Sequence, residues 1–157
     1  MKTLIVYDTK HGCTQSAAAT LKSLLRDDVT VVHVKERSGL DLNTFDVVIV
    51  GGSIHAGRVQ GRIKKFCEEN LAVLEKKRLG LYLCCMYEGE KATAQFEGAF
   101  PEKLRKHAVA VGLFGGVVDF DKMNFVERAI VRKVSGVSET VSNVKEDAIE
   151  QFAARIS

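Results

Sequence analysis

The chain has 157 residues, of which 46% are hydrophobic and 27% are charged, and its formal net charge is +3. This length predicts a single domain over residues 1–157. The sequence contains no apolar run near the roughly 20 residues that span a bilayer and no secretory signal pattern, so we expect a cytoplasmic protein. Lysine and arginine are scattered along the chain, which argues against a nucleic-acid partner.

The first half of the chain shows three predicted strands and one predicted helix. Residues 3–7 are predicted to form a strand and residues 13–26 a helix. In residues 29–34, alternate side chains form two faces, one of them wetter, as in an edge strand. Residues 47–50 are a continuous apolar run typical of a central parallel strand. Between these two strands, the helix expected near residues 36–45 is reduced or absent.

The second half continues the alternation of helices and strands. Apolar residues at helical spacing predict a helix within 63–74 and a closing amphipathic helix from Val141 to Ile156. Residues 115–137 do not fit the alternation and form an insertion before the last helix. The remaining predicted elements are a strand at 79–84, a helix at about 90–100, a short helical turn after Pro101 and a strand at 108–114.

This alternation predicts an α/β fold with an open, doubly wound sheet of five parallel strands and right-handed crossovers. The strand order 2-1-3-4-5 fits best, because it places the alternating strand at an edge and the solid apolar runs inside. In such a sheet, ligands bind beyond the carboxyl ends of the strands, near the switch point between the first and third strands.

The cysteines do not predict a disulfide framework or a metal site, because no Cys-x-x-Cys pair is present. Cys84 and Cys85 lie in one apolar run and should point to opposite faces of the sheet. Buried, reduced thiols are expected. Cys13 is different, because a helix N-terminus lowers a thiol pKa, so it is either reactive or contributes only its backbone N–H to an anion site.

Residues 8–14 form a polar turn between the first strand and the first helix. Such a turn directs backbone N–H groups and the positive end of a helix dipole at one spot, which suits a terminal phosphate. Hydroxyl groups, a glycine and two basic side chains lie in this turn; the alternative is an ordinary turn capped by Thr14. The candidate phosphate-binding residues are Thr9, Lys10, His11, Gly12, Cys13 and Thr14.

Two further loops follow predicted central strands and are candidates for contact with a planar ring. In the first, two glycines after the strand let the backbone turn sharply, and His55 either lies against the ring or has no role. In the second, Tyr87 either stacks on the ring or packs within the loop. The candidate residues are Ser53, Ile54, His55, Ala56 and Gly57 in one loop and Cys85, Met86, Tyr87, Glu88 and Gly89 in the other.

Other phosphate-binding motifs do not match the sequence. The first turn has one glycine where a dinucleotide fold requires Gly-x-Gly-x-x-Gly, and no P-loop is present. A receiver domain requires an aspartate where Gly51 and Gly52 stand, and Ala19 replaces the arginine of a Cys-x5-Arg phosphatase loop that would begin at Cys13. A mononucleotide with an aromatic ring remains, and FMN is the natural candidate.

Residues 5–14 resemble the flavodoxin phosphate loop, and residues 45–57 resemble the flavodoxin third strand and its ring-contacting loop. Residues 112–116 and 125–130 are similar to segments of the quinone-dependent protoporphyrinogen dehydrogenases and their flavodoxin-domain relatives. The resemblance covers nearly the whole chain. It implies one flavodoxin-like domain that binds FMN.

The resemblance implies an FMN-dependent oxidoreductase that oxidises protoporphyrinogen IX with a quinone as acceptor. The alternative is a flavodoxin-type electron-transfer protein that serves a redox protein partner and has no small-molecule substrate of its own. Flavodoxin-type carriers are usually strongly acidic, so a net charge of +3 favours the enzyme. No side chain is an evident general base, and no catalytic residue is assigned.

The insertion is predicted to contain a helix with one apolar face and several basic side chains. This helix either packs on the domain or acts as a lid or docking helix for a hydrophobic, anionic substrate or a membrane quinone. In the second case, residues 122–134 provide peripheral membrane contact. The apolar face consists of Met123, Val126, Ile130 and Val134.

Overall fold

A computed structural model describes residues 1–9, 12–26, 28–55, 57–85, 89–115, 117–118, 141–142 and 144–157. The elements of the first half are β1 (Lys2–Tyr7), α1 (Cys13–Leu24), β2 (Asp28–His33), 3-10 turns at Val34–Glu36 and Leu42–Thr44, and β3 (Val47–His55). The elements of the second half are β4 (Arg58–Val59), α2 (Gly61–Glu69), α3 (Leu71–Leu74), β5 (Arg78–Cys84), α4 (Gly89–Ala99), α5 (Glu102–His107), β6 (Ala110–Leu113), β7 (Val117–Val118), β8 (Val141–Ser142) and α6 (Glu146–Ile156).

The main sheet has the order β2-β1-β3-β5-β6, and these five strands are parallel. Ile5 of β1 lies between Val31 of β2 and Ile49 of β3. The short strand β4 pairs antiparallel with β3. Because β5 and β6 are the fourth and fifth long strands, the predicted doubly wound sheet and its order 2-1-3-4-5 are confirmed.

Helices cover both faces of this sheet, as the apolar strands require. Leu4 and Val6 of β1 point to the face that packs against α2, where Ile63 and Phe66 are buried. Ile5, between them, points to the opposite face with α1 and α6. Since side chains alternate along a strand, residue 8 continues the α2 side at the carboxyl edge.

The third strand is longer than its apolar run suggests. Residues 51–55 were expected to be loop, but they continue β3, pair in parallel with β5 as far as Ser53 and Cys84, and turn back into β4. Gly57 has φ 81°, a left-handed conformation that glycine adopts without strain and that permits this tight reversal. The expectation of a sharp turn at the two glycines is therefore wrong.

The closing helix begins later than predicted. Residues 141–142 pair antiparallel with residues 117–118, so Val141 belongs to β8. Lys145 then donates its N–H to the carbonyl of Phe114 at 2.9 Å, and α6 starts at the next residue. Pairing with a strand over 20 residues earlier thus overrides the apolar spacing that had suggested helix from Val141.

Two other helix boundaries also differ from the sequence-based expectation. The helix α1 ends at Leu24 rather than at residue 26, because Leu25 is extended, with ψ 132°. The helix expected within 63–74 is divided at Asn70, whose φ of −114° interrupts the helical backbone and whose side chain donates to the Phe66 carbonyl.

The predicted insertion helix at 122–134 lies outside the described residues. Among the described helices, none has the length and apolar character to cross a membrane.

Candidate cofactor site

The three candidate loops leave the carboxyl ends of β1, β3 and β5, the three central strands of the sheet. The topology therefore brings the predicted phosphate and ring contacts to one edge. The described candidates are Thr9, Gly12, Cys13, Thr14, Ser53, Ile54, Gly57, Cys85 and Gly89, together with the backbone of His55. Lys10, His11, Ala56, Met86, Tyr87 and Glu88, and the His55 side chain, lie outside the described part of the chain.

The turn that is predicted to bind phosphate enters α1 through a glycine. Gly12 has φ 94° and ψ −10°, and it is the N-cap residue of α1 with no side-chain cap hydrogen bond. Its N–H donates to the Thr9 hydroxyl oxygen at 2.8 Å, which closes the loop. The first N–H groups of a helix have no intrahelical partner, so this uncapped end offers donors to an anion.

Thr14 lies one residue inside the helix and is completely buried. Its hydroxyl has no hydrogen-bond partner in the described structure. The hydroxyl lies close enough to the Cys84 sulfur to have a lowering effect on the pKa of the Cys84 thiol. The geometry of this contact is not that of a hydrogen bond. A buried, unsatisfied hydroxyl costs about 1–3 kcal/mol. Beside an uncapped helix end, this donor fits the phosphate of FMN.

Neutral groups lie beneath the phosphate loop. A hydrogen bond with Cys13 and burial raise the pKa of the Cys84 thiol well above its ordinary value. Burial also raises the pKa of the Tyr82 phenol. Both groups are therefore uncharged at neutral pH and do not oppose the positive potential of the helix end.

All four cysteines are free thiols, and Cys84 and Cys85 belong to opposite hydrophobic clusters, as expected.

The end of β3 is held by a glutamine that the sequence analysis did not single out. Gln60 accepts the N–H of Ser53 at 3.0 Å and donates to the Ser53 hydroxyl at 2.6 Å. The Ser53 side chain is thus engaged within the protein. The two preceding glycines do not form a turn. Gly51 leaves room for the ring of Tyr82, which a Cβ at this position would overlap.

Asp8 was also not identified as a site residue, although it is a completely buried acid beside the phosphate loop. Its carboxylate accepts hydrogen bonds from Arg62 Nε at 2.8 Å and Nη2 at 3.1 Å, and from the N–H of Thr9 at 2.8 Å. His33 Nε2 lies 3.2 Å from the same carboxylate. The ends of β1 and β2 and the start of α2 are joined here. The only feature of the sequence that could have identified Asp8 is its position, as an acid directly after an apolar strand.

A cleft of about 590 Å³ opens beside this carboxylate. Thr9 of the phosphate loop forms one wall, and the other walls come from β4 and the first two turns of α2. The lining of the cleft includes three cationic side chains and one apolar side chain: Arg58, Arg62, Lys65 and Val59.

Comparisons with known proteins agree with this arrangement. The family described as "Flavodoxin domain" matches residues 4–144. A search of curated proteins gave no significant match.

Solved structures include three flavodoxins with the same fold. Flavodoxin 1 from Bacillus cereus is 16% identical over 99% of this chain and 97% of its own, with a TM-score of 0.54. A Fusobacterium nucleatum flavodoxin bound to flavin mononucleotide is 17% identical, with coverages of 99% and 96% and a TM-score of 0.56. A short-chain flavodoxin associated with a bacterial microcompartment is 14% identical, with coverages of 99% and 96% and a TM-score of 0.61.

Proposed function

We propose that this chain, which belongs to the family of flavodoxin domains, is an FMN-dependent electron-transfer protein. FMN is the cofactor, as the sequence motifs predicted. The observation that carries the proposal is the buried Thr14 hydroxyl, which has no hydrogen-bond partner among the described residues and lies at the uncapped helix end after Gly12. Bound FMN supplies the redox chemistry, and the protein binds and orients it.

The roles of the chain's residues follow from their positions. The helix end and the Thr14 hydroxyl hold the phosphate. The strands β3 and β5 are neighbours in the sheet, and the loops that follow their carboxyl ends are proposed to hold the ring. We propose that residues 1–157 are one domain and that residues 115–137 form an insertion or lid within it. In this proposal the partner is a redox protein.

A second candidate is an FMN-dependent dehydrogenase with a small-molecule substrate. The basic cleft and the net charge of +3 favour it, because a flavodoxin-type carrier is usually acidic. In its most specific form, suggested by the similarity of residues 112–116 and 125–130, the enzyme oxidises protoporphyrinogen IX and passes the electrons to a quinone. Contact with a membrane through residues 122–134 and a cytoplasmic location belong to this proposal.

Titration of the apo-protein with FMN tests the cofactor proposal. We expect saturable quenching of FMN fluorescence and a protein-bound spectrum with bands near about 370 and 450 nm, which are those of a flavin. Protein that stays colourless and does not quench FMN under mild conditions would overturn the redox assignment.

Reduction of the FMN-loaded protein separates the two candidates. Two resolved one-electron steps, without oxidation of added protoporphyrinogen IX, support the electron carrier. A single two-electron step with turnover of protoporphyrinogen IX and a menaquinone analogue supports the dehydrogenase.

A further inference from the structure

The cleft between the phosphate loop and α2 has an unusual concentration of positive charge. Residues 56–67 contain four cations and no acid, and three of the four cations, Arg58, Arg62 and Lys65, line the cleft. Cations in the first turns of a helix are disfavoured by the helix dipole, and α2 has no acid in its first turn to compensate. Arg62 and Lys65 therefore lie near the helix end at which the dipole disfavours positive charge.

Protein acids neutralise this charge only in part. Asp8 pairs with Arg62, and Glu69 lies 3.8 Å from Lys65 in an exposed pair that contributes little. Arg58 is exposed and forms no ion pair within the described residues. The cleft therefore keeps a positive potential beside the proposed FMN site.

The Asp8 carboxylate also fixes the position of one cation. It binds Nε and Nη2 of Arg62, while Nη1 has no hydrogen bond within the described part of the chain. A guanidinium held from one side is already ordered, so it loses little side-chain entropy when its remaining N–H groups bind a ligand. Asp8 acts here as a positioning residue for Arg62.

We propose that this cleft binds a small organic anion with an apolar body and a carboxylate or phosphate group. The volume of about 590 Å³ is in the range of small-molecule sites. The buried side chain of Val59 and the aliphatic stems of the basic residues provide the apolar walls. This anion site does not depend on the function proposed above.

Calorimetric titration of the FMN-loaded protein at low salt tests the site with three probes. The probes are 1-naphthoate, phenyl phosphate and the neutral analogue 1-naphthalenemethanol. We expect at least one of the two anions to bind at least about tenfold more tightly than the alcohol, and the tighter anion identifies the acidic group. Equal affinity of all three probes would overturn the proposal.

The double variant Arg58→Gln/Lys65→Gln removes two cations without disturbing the Asp8 pair. We expect it to weaken binding of the anion about tenfold. The matched control, Lys76→Gln/Lys103→Gln, removes two exposed lysines outside the cleft and should change the affinity less than about twofold. Equal effects of the two double variants would contradict a specific site.

FMN titrations of the same variants separate the cleft from the cofactor site. Unchanged FMN affinity in Arg58→Gln/Lys65→Gln supports two sites, whereas competition between FMN and 1-naphthoate would overturn the proposal by making the cleft part of the cofactor site. Saturable 1-naphthoate binding by a chain that does not take up FMN would support the anion site and overturn the proposed redox function.

Discussion

The hydroxyl of Tyr82 donates a hydrogen bond of 3.0 Å to the backbone carbonyl of Thr14, which joins β5 to the first turn of α1. The tyrosine is completely buried, and its ring stacks on Phe114 with 4.9 Å between the ring centres. The helix end proposed to bind phosphate is therefore fixed to the centre of the sheet. Its geometry depends on core packing as well as on the loop.

Substitution Tyr82→Phe tests this connection. It keeps the stacked ring and removes the buried donor, so we expect the free energy of unfolding to fall by about 1 kcal/mol. Urea denaturation followed by circular dichroism measures this change. An unchanged midpoint and slope would show that the hydrogen bond does not stabilise the fold.

Substitution Thr14→Val tests the phosphate-binding role of the buried hydroxyl. Without FMN, we expect the variant to be as stable as the wild type or about 1 kcal/mol more stable, because an unsatisfied polar group is removed. With FMN, we expect the dissociation constant to rise at least about tenfold. Thr20→Val, at an exposed position on the same helix, is the control and should leave FMN affinity unchanged. Wild-type FMN affinity in Thr14→Val would contradict the role.

Substitution Gly51→Ala tests the space beside Tyr82. The added methyl group would overlap the buried ring, so we expect a loss of about 1–3 kcal/mol of stability. Gly98→Ala is the matched control, because a Cβ there meets no atom within 4 Å and the residue lies in α4. The control should gain about 0.5–1 kcal/mol from helix propensity. Thermal denaturation of both variants compares the two effects.

The buried thiol of Cys67 predicts a loss of stability in alkali. Burial raises its pKa from 9.0 to about 12 in the folded protein. Between these values the unfolded chain loses the proton first, so the stability present below pH 9.0 falls as pH rises towards about 12. The slope is about 1.4 kcal/mol per pH unit.

The variant Cys67→Val should show a shallower decline over the same pH range, because it has no thiol to titrate. Urea midpoints measured at several pH values for wild type and variant provide the comparison. Parallel curves would show that Cys67 does not contribute to alkaline unfolding. Tyr82 and Cys84, whose pKa values are also raised, remain in both proteins and contribute to the decline that is left.

The sequence alone determined the fold class, the strand order and the position of the polar turn that is proposed to bind phosphate. These depend on local patterns: apolar runs for strands, helical spacing for helices, and a polar turn with Gly12 between the first strand and helix. Each pattern reports how a short segment buries its own apolar side chains. Such burial is largely independent of which distant residue provides the partner surface.

The tertiary structure decided which side chains meet at the site. Asp8 and Arg62 are 54 residues apart, and Tyr82 and Thr14 are 68 residues apart, so neither contact has a local signature. The same holds for the pairing of β7 with β8, which converts Val141 from expected helix to strand. These contacts depend on how whole elements are placed against each other, and that placement arises from packing and long-range hydrogen bonding rather than from the periodicity of any one segment.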